Sequence, residues 1–292
     1  LSVAIGRMIE DIGQLRRDLF AADLTKRQDI SSVFSPDTLT AAETEVSTLN
    51  RIIRSWFTFV SRFKVQSMLG AAFFALLAAA IILIGGRRLF GDFYKADPNE
   101  PEPSYLSRLS VAFWSTLLPA ASFAVFLGVT YLLFEYFNVL RTDIRELMYS
   151  ACSMAAIVFF IHRLAKAVLS PSLPNWRLAH VEAKPARLLV NLLTATAVVT
   201  GLDGFMTVVA ETLGSPLSLT IAKSFAASVL VGLFVVMISL VRPSGKSVIK
   251  SPFDRPTRTI LFLLGLLPLA AALFGYIGLA RFMTQQIVIT GA

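Results

Sequence analysis

ARLLVNLLTATAVVTGLDGFMTVVAETLGSPLSLTIAKSFAASVLVGLFVVMISLV, residues 186–241, decides how the rest of the chain is read. Two apolar runs of membrane length flank the short turn Glu211–Pro216, and each carries one charge well inside it. Asp203 lies seven residues before Ala210 and Lys223 six residues after Leu217, so on antiparallel helices both sit roughly 10 Å from the turn. Charge inside hydrocarbon is costly and tends to be paired, which makes Asp203 and Lys223 a candidate intramembrane ion pair. Such a pair would either fix the two helices or respond to gating. The alternative is that Lys223 snorkels to the interface while Asp203 sits in a wet vestibule.

Composition extends this reading to the whole chain. Of 292 residues, 55% are hydrophobic and only 16% charged, and mean hydropathy is +0.68. A soluble domain of this size cannot hide so much apolar surface. The net charge of +8 sits mostly in loops between apolar runs, which fits positive-inside loops and not a nucleic-acid-binding face. The partners expected are membrane lipids. The single cysteine, Cys152, lies in an apolar run and has no intrachain partner. The chain opens on Leu1 without a signal segment and stops inside an apolar run, so it is expected to be a piece of a longer protein.

Residues 1–64 form an extramembrane preface. Ile5, Met8, Ile12, Leu15, Leu19 and Ala22 step by 3-4-3-4-3, and Val46, Leu49, Ile53, Trp56, Val60 and Phe63 repeat the stepping. This predicts either an antiparallel helical hairpin with a coiled-coil seam or ordinary helix packing, since each seam lasts only about three heptads. Ser35-Pro36 supplies an N-cap and a first helical residue for the second helix. No breaker separates that helix from the uncharged run that follows, so it is expected to enter the membrane as one rod.

The transmembrane domain, residues 65–292, reads as spans at 66–86, 109–134, 147–168, 187–210, 217–241 and 259–280, with the start of a seventh at 282–292. Pro119 and Pro268 fall inside spans and are candidate kinks. Ser224, Ser228 and Gly232 recur every four residues and form a candidate packing face. The loop at 170–185, with Trp176-Arg177, suits the membrane interface, as do the surroundings of Trp114. Basic residues are counted between the apolar runs, the third ending at Ile161, so that Arg163, Lys166 and Arg187 fall outside it and the next. The stretches after spans one, three and five then carry four, five and five basic residues, against two, none and one after spans two, four and six. That alternation places the first group in the cytoplasm and the N-terminal region outside. Arg281 marks the far interface of the sixth span. The fold expected is an all-α polytopic bundle preceded by a helical hairpin.

Motifs for chemistry are not found. His162 and His180 lack the companions of a metal site, and Gly245-Lys246-Ser247 has Leu240 where a phosphate loop needs its first glycine. The sequence predicts neither an enzyme nor a cofactor.

The helix pair, the loop Ser170-Pro171-Ser172-Leu173-Pro174-Asn175-Trp176-Arg177-Leu178, the turn Leu213-Gly214-Ser215-Pro216-Leu217-Ser218-Leu219-Thr220 and the tail Gly275-Tyr276-Ile277-Gly278-Leu279-Ala280-Arg281-Phe282 resemble long bacterial mechanosensitive channels of the small-conductance (MscS) type. The subgroup they resemble carries an N-terminal domain of unknown function (DUF3772). The resemblance implies a homoheptameric, tension-gated inner-membrane channel that releases osmolytes on hypo-osmotic shock. It also implies a Gly/Ala-rich pore helix and a cytoplasmic vestibule beyond this chain, so no pore residue is carried over. A polytopic transporter subunit, or a membrane scaffold whose periplasmic helical hairpin binds a partner, is the other class the sequence leaves open.

Overall fold

The computed structural model describes residues 24–91, 103–170, 173–178, 181–241 and 255–291, with 13–14, 18 and 21–22. Most of the first predicted helix, at 5–22, His180 and the basic loop at 242–254 lie outside these residues.

A 3-10 turn, Ile30–Phe34, leads into α1, Pro36–Phe59. Ser35 caps α1: its hydroxyl accepts from the Thr38 backbone N–H, and Pro36 stands where a missing N–H costs nothing. One π-turn, Val60–Lys64, carries α1 into α2, Val65–Leu89, and together they make a 54-residue rod. Then follow α3 (Tyr105–Tyr136), α4 (Thr142–Leu169), α5 (Ala183–Leu213), α6 (Leu217–Leu240), α7 (Arg255–Leu273) and α8 (Ile277–Gly291). Six of the helices are long and apolar enough to cross a membrane, and the described residues contain no β-strand. The chain is an all-α, multi-pass membrane protein.

The spans pack in sequence order: α2 on α3, α3 on α4, and so on to α7, with α8 folded back against α5, α6 and α7. Small residues set the close approaches, as expected where lipid supplies no hydrophobic drive between helices. Ala71, Ala75 and Ala79 give α2 a narrow buried stripe, and the Ala79 carbonyl accepts from Ser122 of α3 at 2.8 Å. The remaining faces of α2 are apolar and exposed, with Leu69, Phe73, Leu76 and Ile81 outward. Gly232 and Gly265 bring the backbones of α6 and α7 together: a Cβ on Gly265 would stand 2.8 Å from Val236 N. Of the three-residue packing face, Gly232 therefore serves α7, whereas Ser224 faces α5 through a bond to Asp203. Ser228 is fully buried between these positions.

Helix α3 runs through Pro119 without interruption. Proline cannot donate to the carbonyl four residues back, so Ser115 is left with a free acceptor. Arg163 of α4 fills it, donating from Nη2 at 2.8 Å. Helix α7 likewise continues through Pro268, whose ring is fully buried.

Three expectations need correction. Span six does not reach residue 280: α7 ends at Leu273 and α8 begins at Ile277, so Arg281 lies within the bundle in α8 and not at a far interface. The break is conformational and invisible to hydropathy. Gly275 adopts φ +89°, and a Cβ there would lie 2.5 Å from the Gln28 carbonyl, so only glycine fits. Secondly, Trp176 and Arg177, in the loop between two spans, are buried within the protein and not spread over its surface. Arg177 donates from Nε to Ser170 O at 3.1 Å and from Nη1 to Val181 O at 2.5 Å, closing the loop on itself. Trp114 belongs to α3 itself and stacks on Phe90 at 3.8 Å. Thirdly, the second seam divides: Val46, Ile53 and Phe63 are exposed, while its Trp56 and Val60, with Ile52, pack on the turn between α3 and α4. Its expected partner at 5–22 lies largely outside the described residues.

Candidate functional site

Helix direction alternates, so the turns at 137–141, 214–216 and 274–276 all lie on the side of the membrane that carries α1. Each is held by residues of the 28–64 segment. Trp56 Nε1 donates to Val139 O at 3.0 Å and Lys64 Nζ to Phe137 O at 3.1 Å. Arg141 of the same turn reaches Ser55 at 3.0 Å. The Gln28 backbone N–H donates to Gly275 O at 2.8 Å. The middle turn is held by a charge. Glu45, buried on α1, accepts from Ser215 Oγ in the turn and from Lys223 Nζ on α6. The 28–64 segment is thus a strap across three turns that are remote from one another in sequence.

Two local devices prepare the middle contact. Gly214 ends α5 in the left-handed conformation at φ +64°, which turns the chain so that Ser215 faces α1. Ser215 N then returns to Ala210 O at 2.9 Å.

Directly beneath lies a second polar cluster. Asp203 on α5 is 8% exposed; its Oδ2 accepts from Arg281 Nε of α8 at 2.9 Å and its Oδ1 from Ser224 Oγ of α6 at 3.3 Å. Arg281 Nη2 donates to Thr207 Oγ1 at 2.6 Å, and Thr207 in turn donates to the Asp203 carbonyl at 2.8 Å. The two predicted charges are therefore neighbours in one polar zone with different partners: Asp203 takes Arg281 and Lys223 takes Glu45. Because Lys223 and Ser224 are consecutive, α6 joins the clusters. A continuous chain of contacts runs from α1 through α6 and α5 to α8.

Sequence reasoning missed Glu45 and Arg281. Glu45 sits on an amphipathic helix where an acid reads as solvated, and its partner is 178 positions away. Arg281 had a usable signal, being the single basic residue on its side of the last two membrane crossings. The arrangement is electrically balanced, two carboxylates against two cations. The cost of desolvating such ions offsets much of their attraction, whereas removing one partner leaves an uncompensated charge.

His162 is accounted for between two spans. His162 Nδ1 lies 3.0 Å from Thr194 Oγ1, a bond between α4 and α5. Among the described residues no cluster of His, Cys, Asp or Glu could hold a metal. In the strap, the Ser31 hydroxyl and then its backbone N–H hold the Asp29 carboxyl below its ordinary value, because both bonds favour the charged form. Burial lowers the Arg177 guanidinium from its ordinary value.

No family model matches this chain, and neither a curated protein nor a solved structure matches it.

Proposed function

We propose that this chain is the N-terminal, lipid-facing part of a bacterial tension-gated channel of the MscS type, releasing osmolytes on hypo-osmotic shock. The pore and cytoplasmic domain lie beyond it in this reading. The strap side is periplasmic, the membrane is the inner membrane, and the protein is a homo-oligomer, a heptamer by family resemblance. The chain's own role is mechanical and not enzymatic.

One observation carries this reading: a single 54-residue rod is lipid-exposed along α2 and strapped to the turns along α1. Tension does work only on an element whose packed area differs between two states. In this reading α2, at the end of the row and packed on α3 through an alanine stripe, is that element. Tilting it moves the strap, and with it the turns that join α3 to α4, α5 to α6 and α7 to α8. The π-turn at 60–64 marks the level where α2 leaves the strap, and such turns inside α-helices are frequent at functional sites.

The test is patch recording under graded suction, with the full-length protein in a host lacking its own tension-gated channels. Step-like currents are expected with suction. Silence from protein shown to be in the membrane overturns the proposal.

A second reading rests on a different observation. Leu39, Val46, Ile53 and Phe57 expose an apolar line on α1 outside the spans, which favours a scaffold or transporter subunit that binds a partner there. A partner co-purified through α1 and lost on Val46→Glu, together with electrical silence, supports it.

A further inference from the structure

The zone around α6 holds four charges in two pairs, and among the described residues the carboxylates bonded to α6 are Glu45, on Lys223, and Asp203, on Ser224. Lys223 is six residues from the start of α6 at Leu217 and Asp203 ten from the end of α5 at Leu213, so helical rise puts Asp203 roughly 6 Å deeper than Lys223. Glu211, the other acid on α5, is exposed near the turn itself. Ser224, adjacent to Lys223, already touches Asp203 at 3.3 Å.

From this we infer that the four charges form a partner-exchange latch. With the strap seated, Glu45 holds Lys223 and leaves Asp203 to Arg281, which pins α8 to α5. When α1 withdraws Glu45, Lys223, whose side chain is 20% exposed, becomes a partly buried cation without a counter-charge, an arrangement costlier than the pair was. Its flexible stem carries the ammonium to Asp203, a point charge replacing a guanidinium fork. Arg281, whose side chain is already partly exposed, then shares Asp203 with a second cation; repulsion between the two drives α8 off α5 and carries the guanidinium toward water. Displacement of an extramembrane helix is thereby converted into release of the last helix of the bundle. The latch extends the tension reading without depending on it, because it operates whatever moves α1.

The test needs no current. In the full-length protein with Cys152→Ser, nitroxides are attached at Leu202→Cys on α5 and Gln286→Cys on α8, both exposed positions. Labelled protomers are diluted with unlabelled ones, and the intramolecular distance distribution is measured by pulsed electron resonance in bilayers. The parent should give one population, with any second below about a tenth. Glu45→Gln should make a second, longer distance the major one. Glu45→Gln with Lys223→Met should restore the parent distribution, because the competitor for Asp203 is gone. Mere loosening of the fold predicts the opposite for the double variant. The latch is overturned if Glu45→Gln leaves the distances unchanged, or if the double variant keeps the second population. Should Glu45→Gln not assemble, Glu45→Asp withdraws the charge by one methylene and meets the same two criteria.

Discussion

Arg163 and Pro119 offer the sharpest quantitative test of the packing. The structure pairs them indirectly: Pro119 frees the Ser115 carbonyl, and Arg163 Nη2 occupies it at 2.8 Å. Arg163→Met alone is a poor probe, because the Arg163 Nε is buried without a partner and removing it relieves a cost that offsets the lost bond. A double-mutant cycle with Pro119→Ala cancels that term. Alanine restores the N–H that Ser115 accepts within α3, so the carbonyl no longer needs Arg163. Hydrogen bonds to charged groups contribute about 1.5–3 kcal/mol in water-soluble proteins, whereas polar pairs between membrane helices average about 0.6 and reach about 1.7 kcal/mol. A short, charge-assisted bond belongs in the upper part of the membrane range. The expected coupling is about 1–1.7 kcal/mol, roughly a tenfold change in the folded ratio. Reversible unfolding in mixed micelles of rising SDS fraction, followed by circular dichroism, gives the four free energies. A cycle that closes to within about 0.3 kcal/mol refutes the account.

Further expectations follow from other contacts. Gly265→Ala places a methyl against Val236 N and the Gly232 carbonyl, backbone atoms that cannot yield separately, and should cost about 1–3 kcal/mol in the same titration. Gly70→Ala, with open space at its Cβ, should be neutral or stabilising by up to about 1 kcal/mol. Asp203→Asn strands Arg281 and should cost about 3–5 kcal/mol, much of it recovered in Asp203→Asn/Arg281→Met; elution of a fluorescent fusion as a monodisperse peak reads both. Trp56→Phe removes the bond to Val139 O and should loosen the 137–141 turn by about 1 kcal/mol, seen as roughly fivefold faster amide exchange there.

The opening hairpin shows how far sequence goes. Hydrophobic runs and their lengths are dictated by the bilayer, residue by residue, so the spans and their alternation were legible from local composition. Ser35-Pro36 and the uninterrupted passage from α1 into α2 were legible for the same reason, since caps and helix breakers act within a few residues. Asp203 and Lys223 announced themselves because charge is rare in hydrocarbon. Their partners did not. Glu45 and Arg281 become partners only once α1 lies over the α5–α6 turn and α8 folds back on α5, which is decided by packing between segments far apart in the chain. The end of α7 escaped for a related reason: hydropathy is blind to the left-handed backbone of Gly275, which is fixed by its approach to Gln28. The sequence by itself determined which segments cross the membrane, because each segment meets the bilayer alone. Tertiary structure decided which charges meet, because a buried ion is matched by whatever neighbour the packing supplies.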